Sequence, residues 1–291
     1  MPHAPINGVE IYYEEHGQGH PLVFAHEFAG DHRSWTPQVR FFARRYRTIV
    51  FSARGYPPSS VPTEDSAYSE EQHVEDVYAL ICHLGIERAH IVGLSMGGNV
   101  TLKLGLAHPD VCTSLVVAGA GFGSTNPDEF RANARETADL FERVGMQQAA
   151  ETYGRGPSRL RFEQKDPHGF AEMLEQLKSH SALGSAMTMR NVQGKRRTVY
   201  EVADQLPSLQ VPTLVVAGDE DELALEPALL MKRKIPRCGL AIIPNTGHTV
   251  NLEEPALFNQ LVLDFLTAVE QGRWDARRDT STGLLPPDAR P

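Results

Sequence analysis

A chain of 291 residues with 41% hydrophobic content can bury one substantial core and carry a smaller inserted subdomain, so no second independent domain is required. Its formal net charge of −9, with both signs interspersed, argues against a nucleic-acid partner, whose phosphate backbone calls for a basic face. No apolar run approaches the roughly 20 residues that span a bilayer, which argues against a membrane-embedded protein.

Three cysteines, Cys82, Cys112 and Cys238, lie far apart without CxxC spacing. They read as small buried hydrophobes, with neither a zinc site nor a disulfide framework. The opening Met1-Pro2-His3-Ala4-Pro5 lacks the basic region and apolar core of a secretory signal, so a reducing cytoplasm is the expected location.

Val9 to Glu15 alternates as an early strand, and Gly17-Gln18-Gly19-His20-Pro21 turns the chain into the apolar run Leu22-Val23-Phe24-Ala25. A helical pattern around Trp35 to Phe42 leads to a second run, Thr48 to Phe51. Glu70 to Leu84 carries Val74, Val77, Leu80, Ile81 and Leu84 at helical spacing, with Gly85 placed to end it. Ile86 to Val92 reads as a buried strand, and Asn99 to Ala107 as a packed helix. Further strands are predicted at Ser114 to Ala118, Thr213 to Ala217 and Leu240 to Ile243, and Glu253 to Val269 makes a final amphipathic helix. Continuous apolar runs separated by helices imply a mostly parallel sheet covered on both faces.

From Gly119 to about Leu209 the strand signal gives way to charged, helix-compatible sequence broken at Gly145, Gly154-Arg155-Gly156-Pro157 and Asp166-Pro167. That is too long for a structureless loop and reads as an inserted helical cap. The predicted organisation is therefore a core of residues 1–119 and 210–271, a cap of 120–209, and a polar, Pro-containing tail of 272–291 that reads as poorly ordered.

The most informative segment is His90-Ile91-Val92-Gly93-Leu94-Ser95-Met96-Gly97-Gly98, where an apolar run delivers a serine between glycines and a helix follows. A serine on such a strand-to-helix turn needs small neighbours, and the helix start favours a developing oxyanion. A serine hydroxyl is a weak nucleophile at neutral pH, so it requires a base and a group that orients the base. Asp221 follows the run Val211 to Gly218, and His248 follows the next strand within Pro244-Asn245-Thr246-Gly247-His248. The chain order Ser95, Asp221, His248 is that of a nucleophile-elbow hydrolase.

With these pieces, together with His26-Glu27-Phe28-Ala29-Gly30, Arg54-Gly55 and Gly218-Asp219-Glu220-Asp221, the chain from about Val9 to Val269 resembles the α/β-hydrolase fold superfamily, in the esterase, enol-lactonase and C–C hydrolase branch with a helical cap. The resemblance implies a mostly parallel central sheet flanked by helices with the cap inserted. Among the adjacent acids Asp219, Glu220, Asp221 and Glu222 it favours Asp221, with Asp219 as the alternative. It implies Phe28 and Met96 as the backbone oxyanion donors, and gives His26 the task of organising the oxyanion loop.

Two departures stand out. Many family members have glycine where this chain has Glu27, so a carboxylate sits beside the oxyanion loop, either turned away or positioned to meet water or a cationic substrate group. The segment Ser52-Ala53-Arg54-Gly55-Tyr56-Pro57-Pro58-Ser59 also differs from relatives and implies altered loop packing. Arg190, with Lys195, Arg196 and Arg197 nearby, reads either as a solvated helix face or as a recognition site for substrate carboxylates, as in some C–C hydrolases and enol-lactonases of the superfamily. His26, Glu27 and Arg190 are thus the candidate pocket residues.

The expected activity is serine hydrolysis of a small or medium carboxylic ester or lactone through an acyl-enzyme, with no metal or organic cofactor. C–C bond hydrolysis, amide hydrolysis and perhydrolysis remain alternatives for the same triad, and a ligand sensor on a hydrolase fold is the alternative from another class. Haloalkane dehalogenase and epoxide hydrolase chemistry is disfavoured, since the elbow nucleophile of those enzymes is normally aspartate. The expected partner is a small acyl compound, with self-association left open.

Overall fold

The computed structural model describes residues 2–121 and 123–276. In chain order the strands and α-helices are β1 (His3–Ile6), β2 (Val9–His16), β3 (Pro21–Ala25), α1 (Thr36–Phe42), β4 (Arg47–Phe51), α2 (Glu70–His83), β5 (Ala89–Leu94), α3 (Met96–Ala107), β6 (Cys112–Ala118), α4 (Pro127–Tyr153), α5 (Leu160–Lys165), α6 (Pro167–Lys178), α7 (Ala182–Met187), β7 (Thr213–Gly218), α8 (Glu222–Lys234), β8 (Cys238–Ile243), α9 (Val250–Glu253) and α10 (Pro255–Glu270). One eight-stranded sheet runs in the order β1-β2-β4-β3-β5-β6-β7-β8. Its first two pairings are antiparallel and the remainder parallel.

Alternation along the parallel strands assigns the two faces. Val23, Ile91, Leu115, Val117 and Val215 pack with side chains of α2, α3 and α8, whereas Leu22, Phe24, Val92, Val116 and Val216 pack with Trp35, Phe42 and the apolar side of α10. Both faces are therefore dry, which is why the strands read as unbroken apolar runs. The mostly parallel sheet, flanking helices and helical insertion expected from the sequence are all present.

Several elements differ from expectation. β1 was not read, because four residues with Pro5 between Ala4 and Ile6 carry little strand signal; as an edge strand it tolerates proline. α8 was missed as well. It contains Pro227 and only a few buried positions, so its apolar periodicity is weak. β5 begins at Ala89, three residues later than predicted, because the carbonyl of Ile81 accepts from the Ile86 N–H and the carbonyl of Cys82 from Gly85, whose φ of +63° closes α2. Cys82 is exposed, contrary to the reading of all three cysteines as buried.

Most of the expected tail, from residue 277 onward, lies outside the described residues. Its first residues are docked: the Trp274 ring meets Phe265 edge-on at 4.7 Å, and its indole N–H donates to the Arg237 carbonyl at 2.9 Å. No described helix is long and apolar enough to cross a membrane.

Candidate active site

The turn between β5 and α3 places Ser95 at φ 54° and ψ −109°, a left-handed conformation that costs a non-glycine residue free energy and persists only where its surroundings enforce it. The enforcement is visible in the glycines. A Cβ on Gly93 would sit 2.1 Å from the Gly97 carbonyl oxygen, and one on Gly97 would sit 2.0 Å from that of Ala25, so only glycine lets α3 start this close to β3. The Ser95 N–H donates to the Ala118 carbonyl at 2.8 Å, and the Ser95 carbonyl accepts from the Asn99 amide groups at 2.9 and 3.0 Å. Met96 is the first residue of α3, where a backbone N–H has no intrahelical acceptor.

Asp221 and His248 arrive from the loops after β7 and β8. A Cβ on Gly218 would fall 2.1 Å from the Thr246 carbonyl oxygen, so the two loops lie against one another. The Glu220 N–H donates to that same carbonyl at 2.9 Å. His248 Nδ1 lies 2.7 Å from Asp221 Oδ2, with both side chains buried. This contact leaves Nε2 as the other ring nitrogen. Asp219, the alternative acid, instead accepts from the Thr246 N–H at 3.1 Å and so belongs to the scaffold of the His248 loop.

A second carboxylate organises that loop and was missed by sequence reasoning. Buried Glu253 accepts from the Gly247 N–H at 2.7 Å, and from the Thr249 N–H and hydroxyl at 3.0 Å each. The sequence shows Glu253 only as the beginning of a helix, and its acid lies one residue beyond the spacing of a capping box, so no local signal marks it.

Ser95, His248 and Phe28 line one cavity of about 60 Å³, completed by Phe130, Tyr153, Ser158, Arg159, Met189, Gln193 and Arg196. Phe28 forms a wall, its ring stacked on Phe141 at 6.0 Å and edge-on to Tyr153 at 5.6 Å. The Phe28 backbone lies in a tight turn closed by the Gly30 N–H donating to the Glu27 carbonyl at 3.1 Å, with Ala29 at φ 69°. That turn does not use the Phe28 N–H.

His26 is buried under the same turn. Its Nδ1–H donates to the Glu27 carbonyl at 2.7 Å, and its Nε2 accepts from the Ala53 N–H at 3.0 Å, which fixes both the tautomer and the loop spacing. Burial, the largest influence, lowers its pKa to about 4 and keeps the ring neutral; buried His73 is lowered to about 4 for the same reason. Both depressions contribute stability that is complete above the ordinary value of 6.5 and is lost as pH falls from 6.5 through about 4. The urea midpoint is expected to fall across this window by the equivalent of a few kcal/mol, and less steeply in His73→Gln. A midpoint that stays flat from pH 7 to 4 would contradict this.

None of the three pocket candidates lines this cavity: His26 lies beneath the turn, and the other two are directed elsewhere. Glu27 is turned away from the cavity: Ser34 Oγ donates to its Oε1 at 3.1 Å, and a Cβ on Gly30 would fall 2.4 Å from that oxygen. Burial pushes its carboxyl pKa up, opposed by its own backbone N–H and by Arg159, so the group tends toward the neutral acid and does not confront an oxyanion. Glu27→Gln is accordingly expected to change kcat/KM for neutral and cationic esters equally and by less than about threefold, well below the roughly 3 kcal/mol scale of a lost oxyanion donor. A selective loss on cationic esters would reinstate a substrate contact.

Arg190 is the second correction. It reaches across to α4, forming ion pairs with Asp139 at 2.9 Å and Glu142 at 2.8 Å. The segment Thr188–Gln193 is a π-helix, whose wider turn sets Met189 and Gln193 on the cavity and Arg190 outward. Lys195 and Arg197 are exposed, while Arg196 between them is buried. The basic residues on the cavity are Arg159 and Arg196. Arg159 lies between Arg155 and Arg161 in a run where three arginines look equivalent in sequence, and only folding separates the buried one from exposed Arg155 and half-buried Arg161.

The inserted helices are also tied to the core. Arg161 Nε donates to Glu220 at 2.7 Å, Lys165 pairs with Glu254 at 2.5 Å, and His180 pairs with buried Asp31 at 3.1 Å. No group of three or more histidine, cysteine or acidic side chains among the described residues is arranged to hold a metal ion.

Residues 20–255 match the family model described as alpha/beta hydrolase fold. The chain is similar to 3-oxoadipate enol-lactonase 1 of Acinetobacter baylyi, with 28% identity over 252 residues covering 86% of this chain and 89% of that protein. Among solved structures, it is similar to a thermophilic esterase of Thermogutta terrifontis with malate bound, at TM-score 0.80 and 27% identity over 91% of this chain and 96% of the other. It is also similar to Est816, described as an N-acyl homoserine lactone degrading enzyme, at TM-score 0.74 and 29% identity over 91% of this chain and all of the other (100%).

Proposed function

Because this chain belongs to the α/β-hydrolase fold family and is a hydrolase, we propose that it cleaves a small carboxylic ester or lactone through an acyl-enzyme on Ser95. The observation carrying this reading is the 2.7 Å Asp221–His248 contact beside a cavity lined by both His248 and the strained Ser95. His248 Nε2 takes the Ser95 proton as the hydroxyl attacks the carbonyl carbon. Asp221 holds the ring in the Nδ1–H tautomer and stabilises the imidazolium. The amides of Phe28 and Met96 receive the oxyanion, and His248 then protonates the leaving alcohol. In the second half, His248 deprotonates water, which attacks the acyl-Ser95 ester and regenerates the serine.

Relatives named for enol-lactone, N-acyl homoserine lactone and ester chemistry support this substrate class, and the cavity of about 60 Å³ favours a small acyl group. Treatment of the folded protein with a serine-directed phosphonate, followed by peptide mapping, is expected to place the adduct on Ser95 and to abolish turnover of p-nitrophenyl esters. An unmodified Ser95, or slow single turnover with ligand-dependent partner binding, would favour the sensor alternative.

A further inference from the structure

We propose that His180, at the junction between α6 and α7, is a positioning residue for the oxyanion site: it holds Asp31, and Asp31 holds the turn that carries the Phe28 N–H, so docking of the inserted helices completes the site. The proposal rests on the serine-hydrolase reading above, with Phe28 as one oxyanion donor.

The turn is strained and is clamped at each end. Ala29 sits at φ 69°, a left-handed conformation that a residue with a Cβ keeps only where its surroundings enforce it. At the entrance, His26 fixes the Glu27 carbonyl. At the exit stands Asp31, whose side chain is fully buried and whose N–H donates to Ser34 Oγ at 3.3 Å. Its Oδ1 accepts from the Arg33 N–H at 2.8 Å, and Arg33 Nε lies 3.0 Å from each carboxylate oxygen. Those bonds are local and move with the chain. Among the described residues, the side-chain bonds of Asp31 and Arg33 that leave this stretch both run to the α6–α7 junction: His180 Nε2–H donates to Asp31 Oδ2 at 3.1 Å, and Arg33 Nη2 donates to Ser179 Oγ at 2.9 Å.

His180 is committed to this contact. Its side chain is buried and its Nδ1 has no hydrogen-bond partner, so Asp31 is the ring's one such partner among the described residues. Burial alone would raise the Asp31 pKa, but the bonds from His180 and Arg33 hold it well below the ordinary carboxylate range, which makes the contact a charge-assisted one in a dry site. An aromatic route runs alongside: the Tyr56 ring meets His180 edge-on at 5.3 Å, His26 at 4.9 Å and Phe28 at 6.4 Å. The junction is itself seated on core backbone, since a Cβ on Gly184 would fall 1.9 Å from the Gly55 carbonyl oxygen. Without His180 the turn loses its outside anchor and Ala29 is free to relax, which carries the Phe28 N–H off the oxyanion. A misplacement of about 1 Å costs on the order of a hundredfold in rate.

The test compares p-nitrophenyl acetate with p-nitrophenyl thionoacetate on the whole chain, because the larger, less charge-dense sulfur draws less from preorganised N–H donors than oxygen does. His180→Leu, which keeps bulk and removes the N–H, is expected to lower kcat for the oxo ester by about ten- to hundredfold with KM little changed, and to lower the oxo-to-thiono ratio of kcat/KM by at least about tenfold. His180→Gln, whose amide N–H stands where the Nε2–H stood, should restore most of that ratio. A merely structural role would depress both esters alike. Hydrogen exchange on the wild type gives a measurement that does not depend on how the variants fold. A phosphonate adduct on Ser95, with its phosphoryl oxygen in the oxyanion site, should slow exchange in residues 176–184 together with 27–31, because coupling between two sites is reciprocal.

Ser95-dependent hydrolysis with an unchanged oxo-to-thiono ratio in His180→Leu, a His180→Gln protein no better than His180→Leu, or protection confined to residues 27–31 would overturn the proposal and leave the hydrolase reading standing. A folded wild type that takes no adduct on Ser95 and turns over neither ester would overturn both.

Discussion

Ser95→Ala is expected to lower kcat for a p-nitrophenyl ester by about a millionfold, and Asp221→Asn by about ten-thousandfold, while KM changes little. The asymmetry follows from the roles. Removing the hydroxyl eliminates the attacking atom, whereas the asparagine keeps the 2.7 Å contact to His248 Nδ1 but favours the wrong tautomer and cannot stabilise the imidazolium. Residual hydrolysis in either variant would come from the Phe28 and Met96 amides. Asp219→Asn supplies the contrast: its oxygen accepts the Thr246 N–H, which the amide oxygen can still accept, so a loss below about tenfold is expected. If Asp219→Asn were the more damaging change, the assignment of the acid would be reversed. Burst kinetics with wild type, absent in Ser95→Ala, would separate acyl-enzyme formation from general-base hydrolysis.

Asp76→Ala is expected to destabilise the fold by about 3–5 kcal/mol, a drop on the order of 10 °C in Tm for a chain of this size. Asp76 receives Arg54 through both oxygens, at 2.6 and 2.7 Å, and also the Asn7 side-chain amide at 2.9 Å. Arg54 is 2% exposed, and its remaining bond runs to the Ala67 carbonyl at 2.8 Å. Truncating the acid therefore strands a buried cation, and the cost of that desolvation exceeds the value of the pair itself. The combined Arg54→Met and Asp76→Leu protein should recover much of the loss, since it leaves no charge to solvate. A Tm shift below about 2 °C for Asp76→Ala would show that water reaches Arg54. The pair matters for function through position: Ala53, next to Arg54, donates to His26 Nε2, and His26 in turn holds the Glu27 carbonyl of the turn that carries Phe28.

The division between what could be read and what could not follows the range of the interactions involved. The parallel strands were legible because each is buried on both faces and so appears as an unbroken apolar run. The Ser95 turn was legible because its glycines answer a local demand, the absence of room for a Cβ between neighbouring strands and helix. β1 and α8 were not, since an edge strand needs no continuous apolar face and α8 derives its place from packing on β7 and β8.

Within the site, chain order and loop motifs singled out Ser95, Asp221 and His248 without coordinates, because each sits at a fixed offset from the end of a strand. The surroundings of the cavity obeyed no such local rule. Arg190 and Glu27 are conspicuous in sequence yet face away, one drawn to acids on α4 and the other to Ser34. Arg159 and Arg196 are indistinguishable from their less buried neighbours until the inserted segment folds around the cavity. Sequence by itself thus determined the sheet, its helical insertion and the candidate for the attacking atom, all of which depend on periodicity and backbone sterics. Tertiary structure alone decided which charges lose their water and meet at the cavity, because desolvation is a property of the packed surroundings and leaves no mark on a residue's immediate neighbours in the chain.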